Sequence, residues 1–299
     1  MRIESLQREF LPSDSLAPED FFVLLAFATG KDKAFLLGHP EYELSEKTLT
    51  RAKNFFIRRQ KHEPVAYITG QKEFYGRAFR VTPATLIPRP ETETLVEHAF
   101  DRIKNLESRI TGKKEKIDII DIGTGSGNII TSLAKETSLL IPHHSRLSFY
   151  GIDISPEALM VAQENAKTHE MEEKITFLRG DLFHPYTEKY LSTDTHLLLT
   201  ANLPYLSEAL YATTAEDVRN YEPKSALYSD EAGLSHYLRL LQMISTHKKD
   251  FLSLILFLEI SPEQSIPLRE GIRSLFPKAS VKIHLDLAQR ERVVEIRLL

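Results

Sequence analysis

Ile117-Asp118-Ile119-Ile120-Asp121-Ile122-Gly123-Thr124-Gly125-Ser126-Gly127-Asn128 is an apolar-rich run that ends in three alternating glycines and leads into a helical pattern. A run of this kind is what a strand buried on both faces of a parallel sheet requires. Glycines at its end let the chain turn sharply and let the backbone approach a ligand that any Cβ would hold off.

Downstream the alternation of strand and helix continues. The spacing predicts a helix near 128–136, a strand near 147–152, a helix over 156–168, and strands at 175–178 and 196–200. A helix near 234–245, an apolar strand at 251–260 and two β-type runs at 279–285 and 292–298 complete the series. Such alternation builds a largely parallel α/β sheet with helices on both faces.

Upstream the pattern differs. Between Ser13 and Gln60 apolar residues recur at helical spacing, with Phe21, Phe22, Leu24, Leu25 and Ala28 followed by stops at Gly30 and Gly38-His39-Pro40. Ser45 is placed to cap a further helix carrying Leu49, Ala52, Phe55 and Phe56. Its charged tail, Arg58-Arg59-Gln60-Lys61, reads as a solvated helix end. Short β-type pieces, Val65-Ala66-Tyr67-Ile68 and Phe79-Arg80-Val81, punctuated by Gly70 and Gly76, then suggest a hairpin linker. Pro90 suits the first turn of the helix that follows. The expected organisation is a helical domain over 1–63, a β-hairpin linker over 64–88 and an α/β domain over 89–299.

Composition narrows the function classes. The 299-residue chain is 42% hydrophobic and 27% charged, enough to build a sizeable core, and its length exceeds a single ordinary core. A net charge of -4 offers no general attraction to phosphate backbones, so nucleic acid is not the expected partner. Zero cysteines exclude thiol nucleophiles, disulfides and thiolate metal sites. The opening Met1-Arg2-Ile3-Glu4-Ser5 lacks a signal-peptide core and no run reaches a membrane span, so cytoplasmic residence and no membrane partner are expected. His143-His144 has no further ligand at metal spacing, and no metal is expected. Ser126 lacks the Gly-x-Ser-x-Gly elbow of a serine hydrolase.

The glycine spacing is Gly-x-Gly-x-Gly. Dinucleotide sites use Gly-x-Gly-x-x-Gly, with a pyrophosphate over the helix N-terminus. S-adenosylmethionine carries no phosphate and suits the variant better, making Gly123, Thr124, Gly125, Ser126 and Gly127 the candidate cofactor loop. Asp153, ending the second strand, can accept hydrogen bonds from both ribose hydroxyls. Gly180-Asp181-Leu182-Phe183, after the third strand, is placed for an acidic or backbone contact to the adenine.

The fourth strand ends in Ala201-Asn202-Leu203-Pro204-Tyr205, where strand ends of an open sheet face the ligand crevice. An amide or exocyclic aromatic nitrogen is a poor nucleophile because its lone pair is delocalised, so it needs acceptors for its N–H groups. The Asn202 side-chain oxygen and the Pro204 carbonyl are the candidate acceptors, and Tyr205 is expected to pack on the planar group and help exclude water.

At these residues the chain resembles the HemK/PrmC family, the release factor glutamine N5-methyltransferases. The likeness extends to Glu63-Pro64-Val65-Ala66-Tyr67-Ile68-Thr69-Gly70, Glu73-Phe74-Tyr75-Gly76 and Leu86-Ile87-Pro88-Arg89-Pro90-Glu91-Thr92-Glu93. It includes Glu222-Pro223-Lys224-Ser225-Ala226-Leu227, Gly233-Leu234 with Tyr237, Leu258-Glu259-Ile260, and Asp286 with Arg290 to Val294. The resemblance implies a class I methyltransferase (Rossmann-like) fold with a seven-stranded sheet. It also implies methyl transfer from S-adenosylmethionine to the glutamine of the Gly-Gly-Gln motif in class I release factors, by a cytoplasmic enzyme whose helical substrate-recognition domain, residues 1–63, grips the protein substrate and whose methyltransferase domain spans 89–299; a monomer is expected. By it, Gly123 to Gly127, Asp153, Leu182 and Asn202 fall at cofactor positions, and Asn202, Leu203, Pro204 and Tyr205 at substrate positions.

Two departures stand out: Leu203 replaces the first proline of the family's Asn-Pro-Pro-Tyr, and His196-Leu197-Leu198-Leu199-Thr200 lacks a frequent acidic residue. Asn-Leu-Pro-Tyr is the form familiar in ribosomal RNA adenine dimethyltransferases, so adenine N6-methylation of nucleic acid is the alternative; it requires a basic channel. A cofactor-binding scaffold without turnover is a third reading, separable by calorimetric binding without methyl transfer.

Overall fold

A computed structural model describes residues 1–12, 16–110, 115–141 and 146–298. His143-His144, together with Lys113 and Lys114 of the charged loop, lies outside the described residues. Five helices come first: α1 (Ile3–Phe10), α2 (Pro18–Thr29), α3 (Lys33–Gly38), α4 (Glu46–Gln60) and α5 (Val65–Thr69). A hairpin of β1 (Gln71–Phe74) and β2 (Arg77–Arg80), a 3-10 turn over Pro90–Thr92 and helix α6 (Glu93–Arg109) follow. Then come β3 (Lys116–Ile122), α7 (Asn128–Leu140), β4 (Leu147–Asp153), α8 (Pro156–Thr168), β5 (Ile175–Arg179), α9 (His184–Thr187) and β6 (Thr195–Ala201). The chain ends with α10 (Glu208–Ala212), α11 (Glu216–Tyr221), the single turn α12 (Asp230–Gly233), α13 (Ser235–Thr246), β7 (Ser253–Glu259), α14 (Ser265–Leu275), β8 (Ser280–Leu285) and β9 (Glu291–Leu298).

The chain divides into two compact units. The first holds Met1–Gln71 and Thr214–Tyr221; the second holds Lys72–Thr213 and Glu222–Leu299. The first is a helical bundle whose core stacks Phe21 on Phe56 at 4.6 Å, with Phe10 beside Phe56 at 5.1 Å. Asp32 and Ser45 cap α3 and α4, and Gly30 ends α2 in the left-handed conformation. The α4 tail is paired rather than solvated. Arg59 binds Asp20 at 2.7 Å, Arg58 binds Glu63 at 2.8 Å, and Tyr221 of α11 donates to the Lys61 carbonyl.

Val65-Ala66-Tyr67-Ile68 forms α5, correcting the β-type expectation. Val65 and Ile68, three apart, present one helical face to the bundle core, which outweighs the β preference of Val, Tyr and Ile. Pro64 starts the helix and Gly70, at φ 76°, ends it. The hairpin turns instead through Tyr75 and Gly76, both left-handed as a tight two-residue turn demands.

In the second unit the sheet order is β5-β4-β3-β6-β7-β9-β8. The first five strands run parallel, and β9 is antiparallel to both β7 and β8. Side chains of β3 alternate between two cores: Ile117 and Ile119 pack on one face, Ile120 and Ile122 on the other. Asp118, buried on the second face, accepts from Tyr186 at 2.6 Å. Registers Ile122↔Ile152, Ile122↔Ala201 and Ala201↔Leu258 bring the ends of β4, β3, β6 and β7 level. The order reverses at β3, which opens a crevice over those ends.

Candidate active site

The crevice is a cavity of about 240 Å³ within the second unit. Gly123, Thr124, Gly125, Ser126, Asp153, Asp181, Leu182, Asn202, Leu203 and Pro204 line it together. Two expected residues do not. Gly127, at φ 74°, caps α7 and faces α8, where a Cβ would stand 2.9 Å from that of Ala162; it permits close helix packing. Tyr205 is half-buried against the apolar core, and its carbonyl accepts from Gln264 Nε2 at 2.9 Å.

The glycine loop is anchored from below. Gly123 and Thr124 donate to the Ile152 carbonyl at 2.8 and 2.9 Å. Asp121, fully buried, accepts from Thr124 Oγ1 at 2.7 Å and Thr200 Oγ1 at 2.8 Å. Burial pushes its carboxyl up to about 7, against the pull of those two hydroxyls. Asn165, also buried, donates to the Ser126 carbonyl at 2.8 Å and exchanges hydrogen bonds with the backbone of Arg80, tying loop to hairpin.

Asp153 accepts from Gly125 N at 2.8 Å and Ser155 N at 2.9 Å, and burial raises its pKa. The Ile154 backbone N–H also favours the ionised carboxylate, and of its about four lone-pair sites at least one stays open. Asp181 is ion-paired with Arg239, which also lines the cavity. Glu222 accepts from Ile87 N at 3.0 Å and pairs with Arg89, fastening the Pro88-Arg89 segment that also lines the cavity.

The Asn202 amide nitrogen donates to Thr92 Oγ1 at 3.2 Å, leaving the carboxamide oxygen as its other end. Leu203 is buried, and its Cδ2 occupies the space a Cβ on Gly123 would need, 2.8 Å away; Tyr237 donates to its carbonyl at 3.3 Å. The leucine is thereby accommodated by the glycine loop it covers. Glu259, next to Asn202 at the strand ends, is 1% exposed. Gln264, Glu222, Asn165 and Glu259 were not singled out as site residues from sequence; a carboxylate or amide inside an apolar stretch, as in Leu258-Glu259-Ile260, was the signal.

The donor set fits S-adenosylmethionine. Both lining arginines, Arg89 and Arg239, are paired with carboxylates, so among the described residues they present no uncommitted cation for a pyrophosphate. Asp153 offers acceptors for a ribose, and Ile152, Ile154, Ala158 and Leu182 offer apolar surface for a base. No metal-binding cluster of His, Asp or Glu occurs among the described residues, and none of their helices is long and apolar enough to cross a membrane.

A family model described as the PrmC N-terminal domain matches residues 8–70, and one described as a methyltransferase domain matches 113–236. The release factor glutamine methyltransferase of Bacillus subtilis (strain 168) is 33% identical over 272 residues, covering 91% of this chain and 88% of that protein. That of Vibrio cholerae is 35% identical over 275 residues, covering 91% and 86%. Among solved structures, the hMettl16 catalytic domain in complex with MAT2A 3′UTR hairpin 1 has a TM-score of 0.55 at 15% identity, covering 91% and 90%. The N-terminal domain of human METTL16 in complex with SAH has a TM-score of 0.51 at 15% identity, covering 91% and 93%. These structures share the class I methyltransferase fold, and identity over nearly the whole length places the chain in the release factor glutamine methyltransferase family.

Proposed function

We propose that this chain methylates the side-chain amide nitrogen, N5, of the glutamine in the Gly-Gly-Gln motif of class I release factors, using S-adenosylmethionine. The observation that carries the reading is Asn202 lining the cavity with its amide nitrogen already engaged by Thr92. Its oxygen is the end left to accept from a substrate NH2, and the Pro204 carbonyl is the second acceptor.

When bound, S-adenosylmethionine supplies an electrophilic methyl on a sulfonium, the S–CH3 bond breaking to leave the neutral thioether of S-adenosylhomocysteine while the methylated nitrogen loses one proton to water. The chain's own residues align the amide. Two acceptors hold its N–H groups, turn the nitrogen toward the cavity and stabilise the positive charge that grows on it as the new bond forms. Asp153 holds the ribose, and the Gly123–Ser126 backbone and Leu182 shape the floor. Tyr205, by its placement, supports the Asn202-Leu203-Pro204 turn rather than packing on the substrate. We place the reaction in the cytoplasm, carried out by a monomer. The helical first unit is the surface we assign to gripping the protein substrate. Adenine methylation shares the acceptor chemistry, but family membership favours the protein substrate.

Mass spectrometry of purified release factor, incubated with enzyme and labelled cofactor, tests this directly. Label on the glutamine is expected; label entering only RNA would reject the assignment. Asp153→Ala is expected to weaken cofactor affinity about ten- to hundredfold, the range for hydrogen bonds to a charged group, with a smaller effect on kcat at saturation. Calorimetry with S-adenosylhomocysteine measures it, and unaltered affinity removes Asp153 from the ribose.

A further inference from the structure

We propose that Glu259 is the positioning residue that decides which end of the Asn202 carboxamide faces the cavity. This rests on Asn202 acting as an acceptor. A carboxamide has two ends of nearly equal shape, and only one of them can receive a substrate N–H. Thr92 alone does not choose between them, because its hydroxyl can either donate or accept.

Glu259 breaks that symmetry. It sits at the end of β7, beside Asn202 at the end of β6, and Thr92 and Asn202 both favour its ionised form. An ionised carboxylate only accepts. It draws the Thr92 hydrogen to itself, so Thr92 offers Asn202 a lone pair, and the amide nitrogen turns to it at 3.2 Å. The carboxamide oxygen is then directed to the substrate. A protonated Glu259 donates instead, which frees the Thr92 hydrogen to bond the Asn202 oxygen and lets the NH2 group turn into the cavity. There it would meet the substrate NH2 donor to donor.

The surroundings leave Glu259 able to take both forms. The residue is 1% exposed, and Oε2 has no hydrogen-bond partner among the described residues. Facing it are Thr92 and Glu91 from the turn before α6, Asn202 and Tyr205 from the loop after β6, Tyr237 from α13, and Arg292 from β9. Arg292 is committed to Asp286 at 3.3 Å and to the Ile260 carbonyl at 3.1 Å, and the Glu91 charge opposes ionisation. Burial pushes the carboxyl up to about 7, with Thr92, Arg292 and Asn202 pulling it back. The orienting, ionised form therefore predominates above neutrality and is lost as pH falls. Between pH 8 and pH 6 its fraction drops about tenfold.

The test is the pH profile of kcat together with the side-chain amide resonances of Asn202 in cofactor-free protein. In the wild type, kcat is expected to fall on the acid side with unit slope and a midpoint near 7, and the Asn202 resonances to shift over the same range. Glu259→Gln should lower kcat about tenfold or more at pH 8, flatten the acid limb and abolish the resonance shift, while S-adenosylhomocysteine affinity stays within a few fold. Glu259→Asp should restore part of the limb. If Glu259→Gln does not fold, Thr92→Val cuts the same relay and should flatten the same limb. Retained kcat with an intact acid limb, or resonances insensitive to pH, overturns the proposal. The outcomes separate it from the acceptor reading: an active Asn202→Ala enzyme removes both, whereas an inactive one beside an unaltered Glu259→Gln removes only the role of Glu259.

Discussion

Asn202→Ala is expected to lower kcat by about two orders of magnitude or more while leaving cofactor affinity within a few fold. The substitution deletes the acceptor oxygen at the end of β6 and keeps the glycine loop and Asp153, which make none of their hydrogen bonds to Asn202. An aligned acceptor contributes to the transition state more than to the ground state, since the amide nitrogen becomes positive only as it attacks. KM for the release factor should therefore change less than kcat. Steady-state kinetics with calorimetry of S-adenosylhomocysteine separates the two effects. Turnover at the wild-type rate would show that the carboxamide does not hold the substrate.

Gly233→Ala is expected to cost about 2 kcal/mol or more, lowering Tm by about 4–8 °C, and to reduce kcat as well. Glu231 and Ala232 already stand at φ 54° and 53°, and Gly233 follows at φ 84°, a left-handed turn that L residues adopt only with strain. A Cβ at Gly233 would lie 1.9 Å from the Tyr205 carbonyl oxygen and 2.5 Å from Gln264 Nε2. The first of these is backbone and can yield only by moving the Asn202-Leu203-Pro204-Tyr205 turn. Gln264 holds that turn by donating to the carbonyls of Tyr205 at 2.9 Å and Ala232 at 3.3 Å. Displacing an acceptor by about 1 Å can itself lower turnover about a hundredfold. Thermal denaturation followed by kinetics on the surviving fold measures both, and an unchanged Tm would mean the contact is not tight.

Much of the second unit could be read from residue order. The strand from Lys116 to Ile122, helix α8 and the β6 strand are marked by local signals: apolar runs, a Ser155-Pro156 start with Ser155 capping Ala158 N, and glycines where the chain turns. The strand-end places of the glycine loop and Asn202 were legible for the same reason, since each lies immediately after a strand. Val65 to Ile68 was misread because β-branched and aromatic residues were judged by their own preference, and the bundle core that recruits Val65 and Ile68 to one helical face is contributed by distant helices.

The terminal Asp286 and Arg290 to Val294 matched a family pattern whose purpose only the fold explains. Asp286 binds Arg290 and Arg292, and Arg292 in turn holds the Ile260 carbonyl beside Glu259. Likewise Thr214–Tyr221, far along the chain, belongs to the first compact unit.

By itself the sequence determined the alternating α/β framework, the glycine loop, the strand-end positions of Asp153 and Asn202, and the family pattern, because each depends on neighbours a few residues apart. Tertiary structure decided that Gly127 serves helix packing, that Tyr205 braces its loop from the core side, and that Glu259, Thr92 and Asn202 meet. Those outcomes depend on groups brought together across the sheet, whose separation along the chain leaves no local periodicity to read.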